Sequence, residues 1–278
     1  LSVGKDQLYV WEKEEGMLHE NDGAEILCAM CKGEHMERSQ AKEGKIELTA
    51  ACDGLLKVDN KGLKAVNGFG QMMIATRHGN FAVKKGDKLA GTRIIPLVIE
   101  EEKMTKAKEA AMAATGNKPI LNLLPFKHKK VGIVTTGNEV FYGRIKDTFT
   151  PVIEGKMAEF DTEIIDHVTW NDDDTKVTAS ILDMIHKGAD IVVCTGGMSV
   201  DPDDKTPLAI KNTGADIVSY GAPVLPGAMF MLAYYQVTEG ENPRTVAIMG
   251  LPGCVMYAKR TIFDLVLPRV MADDQVTA

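Results

Sequence analysis

Two rhythms of apolar and polar residues run along the chain, and they change near residue 128. Before that point, short stretches alternate or nearly so. "DQLYVW", "KIELTA", "GLLKV", "MMIAT" and "FAVKKGDKLAGTRIIPLVI" read as strands separated by Gly, Asn and Asp turns. "DGAEILCAMCKG" predicts a short helix closed by Gly33, and "EEKMTKAKEAAMAA" a second that stops at Gly116. "NKPILNLLPFKHKK", with Pro119, Pro125 and a basic cluster, reads as a connection. Residues 1–128 are therefore expected to form a β-rich N-terminal region, and residues 129–278 a separate domain.

Beyond residue 128, buried strands trade places with amphipathic helices. "KVGIVTTG", "EIIDHVTW", "MFMLAYYQ" and "TVAIMGLPG" predict strands. "ADIVVCTGG" is an apolar run of the kind that a parallel sheet buries on both faces. In "NDDDTKVTASILDMIHKG", Val177, Ile181, Met184 and Ile185 share one helical face, the aspartates suit the positive end and Gly188 suits the stop. "TPVIEGKMAEFDT", "KTPLAIKNTG" and "VMYAKRTIFDLVLPRVM" predict further helices. Alternating strands and helices imply a mostly parallel sheet between two helical layers, an α/β fold.

The 278 residues suit two domains. A formal net charge of −7 lacks the basic footprint of a nucleic-acid binder. No apolar run approaches the roughly 20 residues of a membrane span, and no signal peptide is visible at the start. The five cysteines are expected to be reduced thiols of a cytoplasmic protein. Cys28 and Cys31 form a CxxC that fits a helix face better than a zinc or redox site, because no second pair exists. The chain begins with Leu1 instead of Met, so upstream sequence is expected to be missing.

Chemistry concentrates at four loops that follow predicted strands: "TTGNE", "TWNDDD", "TGGMSVDPDD" and "GLPGC". Ligands of open α/β sheets bind at the carboxyl ends of strands. Glycines let backbone amides approach an anion closely, and the hydroxyls of Thr135, Thr136, Thr195 and Ser199 are expected to donate to phosphate. Carboxylates repel phosphate, so their presence beside the glycines points to Mg²⁺, which takes carboxylate and phosphate oxygens together. Three of the loops also have a plainer reading: a strand-to-helix turn for "TTGNE", a solvated helix start for "NDDD", a common turn for "LPG".

Taken in order, "VGIVTTGNEV", "WNDDD", "DIVVCTGGMSVDPDD", "VLPG" and "VAIMGLPG" resemble the molybdopterin-binding domain family over roughly residues 129 to 272. That domain is shared by MoeA and gephyrin E-domain molybdopterin molybdenumtransferases, molybdopterin adenylyltransferases and the competence-damage proteins. The first half resembles the flanking regions of the MoeA type more loosely. The resemblance implies a three-layer α/β/α domain that binds molybdopterin or adenylylated molybdopterin, with molybdate and Mg²⁺ as further partners and a homodimer as the assembly. It implies catalytic roles for Glu139 and Asp204. Thr135, Thr136, Gly137, Thr195, Gly196, Gly197, Ser199, Gly227, Pro252 and Gly253 would face the ligand, and Glu139, Asp172, Asp173 and Asp204 the metal. Asn138, Ala228, Cys254 and Val255 depart from the transferase pattern, and the lysine that pattern carries is lost at Ala228. Three functions follow as expectations: cofactor binding with molybdenum insertion, a non-catalytic molybdopterin carrier, and a nucleotide pyrophosphatase or deamidase of the competence-damage type.

Overall fold

Ile191–Thr195 is buried at every position, and its alternate side chains feed two different cores. Such a strand must have both faces covered, which is the origin of the layered architecture around it. The computed structural model describes residues 14–199, 204–238 and 243–277. The predicted strand at residues 6–11 lies outside them. The chain divides into two units, Leu1–Pro125 and Phe126–Ala278.

The first unit runs β1 (Met17–His19), α1 (Glu20–Cys31), β2 (Met36–Arg38), β3 (Lys45–Ala50), β4 (Gly54–Val58), α2 (Asn60–Asn67), β5 (Met72–Thr76), β6 (Phe81–Val83), β7 (Lys88–Ile94), β8 (Val98–Glu100), α3 (Glu101–Thr115) and β9 (Leu121–Pro125). Its strands form a β1–β8 ribbon and two small sheets, β2-β3-β7-β5 and β6-β4-β9, with antiparallel pairing throughout. Leu27 and Cys31 of α1, Ile46 and Leu48 of β3, Ile74, Leu89, Ile94 and Met104 pack into one core. Helix α3 ends where predicted, on Gly116 at φ +62.

Two expectations need correction in this unit. Helix α1 is capped by Lys32 in an extended conformation, with the Lys32 N–H donating to Cys28 O. Gly33 serves the packing of the chain instead. A Cβ there would lie 2.3 Å from the Leu121 carbonyl oxygen, so the residue lets two backbones touch. The stretch expected as a connection contains β9, which pairs with β4 from Leu121 to Pro125. Its prolines hid a strand whose N–H groups are only partly needed.

The second unit runs β10 (Lys129–Thr136), α4 (Asn138–Phe141), α5 (Phe149–Met157), β11 (Thr162–Trp170), α6 (Asp174–His186), β12 (Ile191–Thr195), α7 (Thr206–Asn212), β13 (Asp216–Tyr220), β14 (Met231–Val237), β15 (Arg244–Leu251), a 3₁₀ turn (Gly253–Met256) and α8 (Ile262–Met271). The sheet order is β11-β10-β12-β15-β14-β13. The first four strands are parallel, and β14 and β13 complete the sheet antiparallel. Ile191 and Val193 face α5 and α8 through Ile153, Met157, Phe263 and Leu267. Val192 and Cys194 face α6 and α7 through Val177, Ile181, Met184 and Ile210. The expected three-layer α/β/α architecture, mostly parallel, is what forms.

The long helix expected from Val255 onward is shorter. Thr261 and Asp264 build a capping box that starts α8 at Ile262. Among the described residues no helix is long and apolar enough to cross a membrane.

Candidate functional site

Parallel registry brings the four loops to one edge. Thr135 stands opposite Thr195, Thr195 opposite Leu251, and Thr136 opposite Trp170, so β10, β11, β12 and β15 end side by side. The loops that follow enclose two adjoining clefts of about 320 and 490 Å³. Thr135, Thr136, Gly137, Glu139, Asp172 and Thr195 border the first. Ser199, Gly227, Pro252 and Gly253 border the second. Gly196, Gly197 and Asp204 border both, as does Phe149.

Asp173 is the exception among the residues singled out in the sequence. Its carboxylate caps α6, accepting from the Thr175 and Lys176 amides, and it pairs with Lys176 Nζ at 3.4 Å. It borders neither cleft, because a helix start exposes orphan N–H groups that a short acidic side chain satisfies. The solvated-helix reading of "NDDD" fits how Asp173 is engaged, at the start of α6 and with Lys176. Asp172 turns into the first cleft and accepts from Asn138 Nδ2 at 2.7 Å. An aspartate at position 138 would set like charges against Asp172; the amide donates instead.

The threonines that border the first cleft are bonded within the protein. Thr195 has no exposed surface, and Thr135 and Thr136 are 3% and 5% exposed. Their hydroxyls point into the structure and bond one another. Thr136 Oγ1 donates to Thr195 O at 3.2 Å, and Thr206 Oγ1 to Gly196 O at 2.8 Å. These bonds pin the glycine loop from beneath. Gly196 sits at φ +81, and a Cβ there would lie 2.0 Å from Thr136 O. Buried hydroxyls find partners inside the protein, and these bonds shape the cleft wall.

A chain of hydroxyls runs beside them. Thr195 Oγ1 donates to Thr135 Oγ1 at 3.3 Å, and Thr150 Oγ1 donates to Asp147 Oδ2 at 2.6 Å. Thr135 and Thr150 are 3.2 Å apart. His167 Nε2 lies 3.1 Å from both hydroxyls and closes the cluster. Burial alone would lift the Asp147 carboxyl, but the Thr150 hydroxyl and the Thr150 and Phe149 amides outweigh it and hold it below the usual range. The chain thus ends on a carboxylate.

Sequence reasoning missed Asp147, Thr150, Phe149, His167 and Lys146. The signal for the first was present: "DTFT" matches an aspartate whose carboxylate accepts from amides two and three residues on, as Asp147 does at 2.8 and 3.1 Å. His167 carried no such signal, since it reaches the site only through strand pairing. Tyr220, on β13, adds a phenol whose oxygen lies 3.4 Å from Ser199 O. Burial, and the Asp204 carboxylate after it, raise the Tyr220 phenol above its ordinary value.

Comparison with known proteins bears on this unit. A CinA-like protein of Mycobacterium tuberculosis is 32% identical over 77 residues, 28% of this chain and 18% of that protein. The match thus spans less than a fifth of the curated relative's length. Among solved structures, CinA of Thermoplasma acidophilum, described as of unknown function, aligns with a TM-score of 0.39 at 18% identity, covering 51% of this chain and 98% of that one. The tungsten cofactor synthesizing protein MoaB of Pyrococcus furiosus aligns with a TM-score of 0.37 at 20% identity, covering 53% and 89%. The model of the family described as "probable molybdopterin binding domain" matches residues 132–272, just over half of the chain and all of the sheet edge described above, and to that family the chain belongs.

Proposed function

We propose that the second unit binds molybdopterin or its adenylate in molybdenum-cofactor biosynthesis, and that it acts on the phosphate end of that ligand. The observation that carries the reading is the pair of adjoining clefts sharing Gly196, Gly197 and Asp204 at the carboxyl edge of the parallel strands. Their lining offers both backbone amides with no Cβ in the way and carboxylates. Gly196 and Gly197 would donate N–H groups to phosphate oxygens. Glu139 and Asp204 would hold and orient a water for attack at phosphorus in the phosphoanhydride.

The donor set suits Mg²⁺ in one manner. Among the described residues no three acidic, histidine or cysteine side chains stand close enough to hold an ion. Glu139, Asp172 and Asp204 are nonetheless hard oxygen donors on one cleft, and the neighbouring Asn171 Oδ1 is buried without a hydrogen-bond donor. This fits an ion shared with the phosphates of the ligand better than a resident ion in a protein cage. When bound, Mg²⁺ would neutralise charge on the phosphate oxygens.

Calorimetry with molybdopterin and its adenylate, with and without Mg²⁺, tests the reading on the wild-type chain and Asp204→Ala. Mg²⁺-dependent binding that Asp204→Ala abolishes is the expected result. Molybdate-dependent release of AMP would identify a molybdenumtransferase, and tight binding without turnover a carrier. No binding of either pterin by the wild type sinks the proposal.

A second reading is favoured by the CinA-like relative. The same clefts would then hold a nucleotide pyrophosphate, with Glu139 and Asp204 in the same roles. Hydrolysis of ADP-ribose by the purified chain, with no affinity for molybdopterin, is the outcome that selects it.

A further inference from the structure

We propose that Lys146 anchors the phosphate of the bound ligand; the assignment rests on the cleft reading above and names the side chain responsible. The first cleft presents an electrostatic problem. Glu139, Asp147, Asp172 and Asp204 all border it, and each repels an anion. The hydroxyls of Thr136, Thr150 and Thr195 already donate within the protein, to the Thr195 carbonyl, the Asp147 carboxylate and Thr135 Oγ1. Among the described residues bordering either cleft, Lys146 is the only basic side chain.

Its backbone is held on both sides. The Ile145 N–H, just before it, donates to Glu139 O at 3.2 Å. The Asp147 carboxylate, just after it, accepts from the Phe149 and Thr150 amides and from the Thr150 hydroxyl. The loop therefore presents Lys146 at a fixed place on the cleft wall. Lys146 makes no ion pair with any described residue, so its ammonium meets an anion without first breaking a bond. The second cleft divides the labour. Met198, Leu225, Met229 and Cys254 line it, and Asp204 is its only charged side chain among the described residues. An anionic end thus belongs beside Lys146, and the less polar body of the ligand in the larger hollow.

The experiment is calorimetry on the full chain with molybdopterin, ADP and adenosine, for wild type, Lys146→Met and Lys146→Arg. Lys146 is exposed, so neither variant threatens the fold, and thermal midpoints check this. Lys146→Met is expected to weaken each phosphate-bearing ligand that the wild type binds by about tenfold or more, with adenosine unaffected and Lys146→Arg close to wild type. Unchanged phosphate affinity in Lys146→Met, or an equal loss for adenosine, overturns the assignment while leaving the cleft reading intact. A wild-type chain that binds neither molybdopterin nor ADP overturns both, and it does so before any variant is made.

Discussion

Thr195 Oγ1 donates to Thr135 Oγ1 across 3.3 Å, joining the last residue of one parallel strand to the neighbour paired with it in register. That bond begins the chain that ends on Asp147, so removing its middle member should cost each of three neighbours a partner. Thr135→Val deprives Thr195, Thr150 and His167 of a shared oxygen. The expected cost is about 1–3 kcal/mol, read as a lower urea midpoint with an unchanged slope, and Thr135→Ser should recover most of it. A valine variant with the wild-type midpoint would show that the network carries no stability.

Two glycines of the site should respond in opposite ways to the same change. Gly196→Ala adds a Cβ 2.0 Å from the Thr136 carbonyl at a backbone of φ +81. The left-handed conformation costs about 1–2 kcal/mol and the overlap about 1–3 more. Gly253→Ala meets nothing within 4 Å and has no positive φ, so its stability should stay near wild type. Thermal unfolding of both variants checks the contrast, and equal midpoints contradict it.

Lys156 and Asp264 form a buried ion pair at 2.7 Å, their side chains 10% and 4% exposed. Burial alone would raise the Asp264 carboxyl, but Lys156, the Thr261 amide and Arg260 outweigh it and hold the carboxyl below the usual range. A lowered folded value means that the carboxylate stabilises the fold above about pH 4, and that this contribution fades as pH falls through the folded value. Asp264→Asn leaves the Lys156 ammonium buried and unpaired, at a cost of about 3–5 kcal/mol near neutral pH. Urea titrations across the acid range should show a shallower pH dependence for Asp264→Asn than for wild type. Parallel curves would remove Asp264 from the acid response.

The thiols should separate by reactivity. Burial pushes Cys31 and Cys194 up to about 12 and raises Cys28 as well. Cys254 is half-buried on the wall of the second cleft. Alkylation of the folded chain near about pH 8 should therefore mark Cys254 well ahead of Cys31 and Cys194. A ligand seated in that cleft should slow it. Peptide mass spectrometry reads both effects, and prompt labelling of Cys194 would contradict the burial described.

What could be read from the chain follows from how local each signal is. The run at Ile191–Thr195 announces itself because a doubly covered strand has no polar face to interrupt it. Helix α6 carries its own cap and stop, and the loops at the carboxyl ends are marked by glycine and aspartate. Strand β13 has exposed Asp216, Ile217 and Tyr220 and only one neighbour, so its pattern resembles a loop. Hydroxyl directions were illegible for a different reason. Thr135 and Thr195 look like ligand contacts from their residue type alone, and only the pairing of β10 with β12 turns them toward each other. Lys146 and His167 lie in segments whose own sequence names no site; strand registry and a capped turn bring them there.

Asp204, Gly196 and Gly197 are common property of two hollows, and this has a thermodynamic corollary. An occupant of either hollow alters the field and the backbone that the other must use. Affinities measured on the two sides are then linked, and linkage is mutual: whatever factor one guest imposes on its neighbour, the neighbour returns.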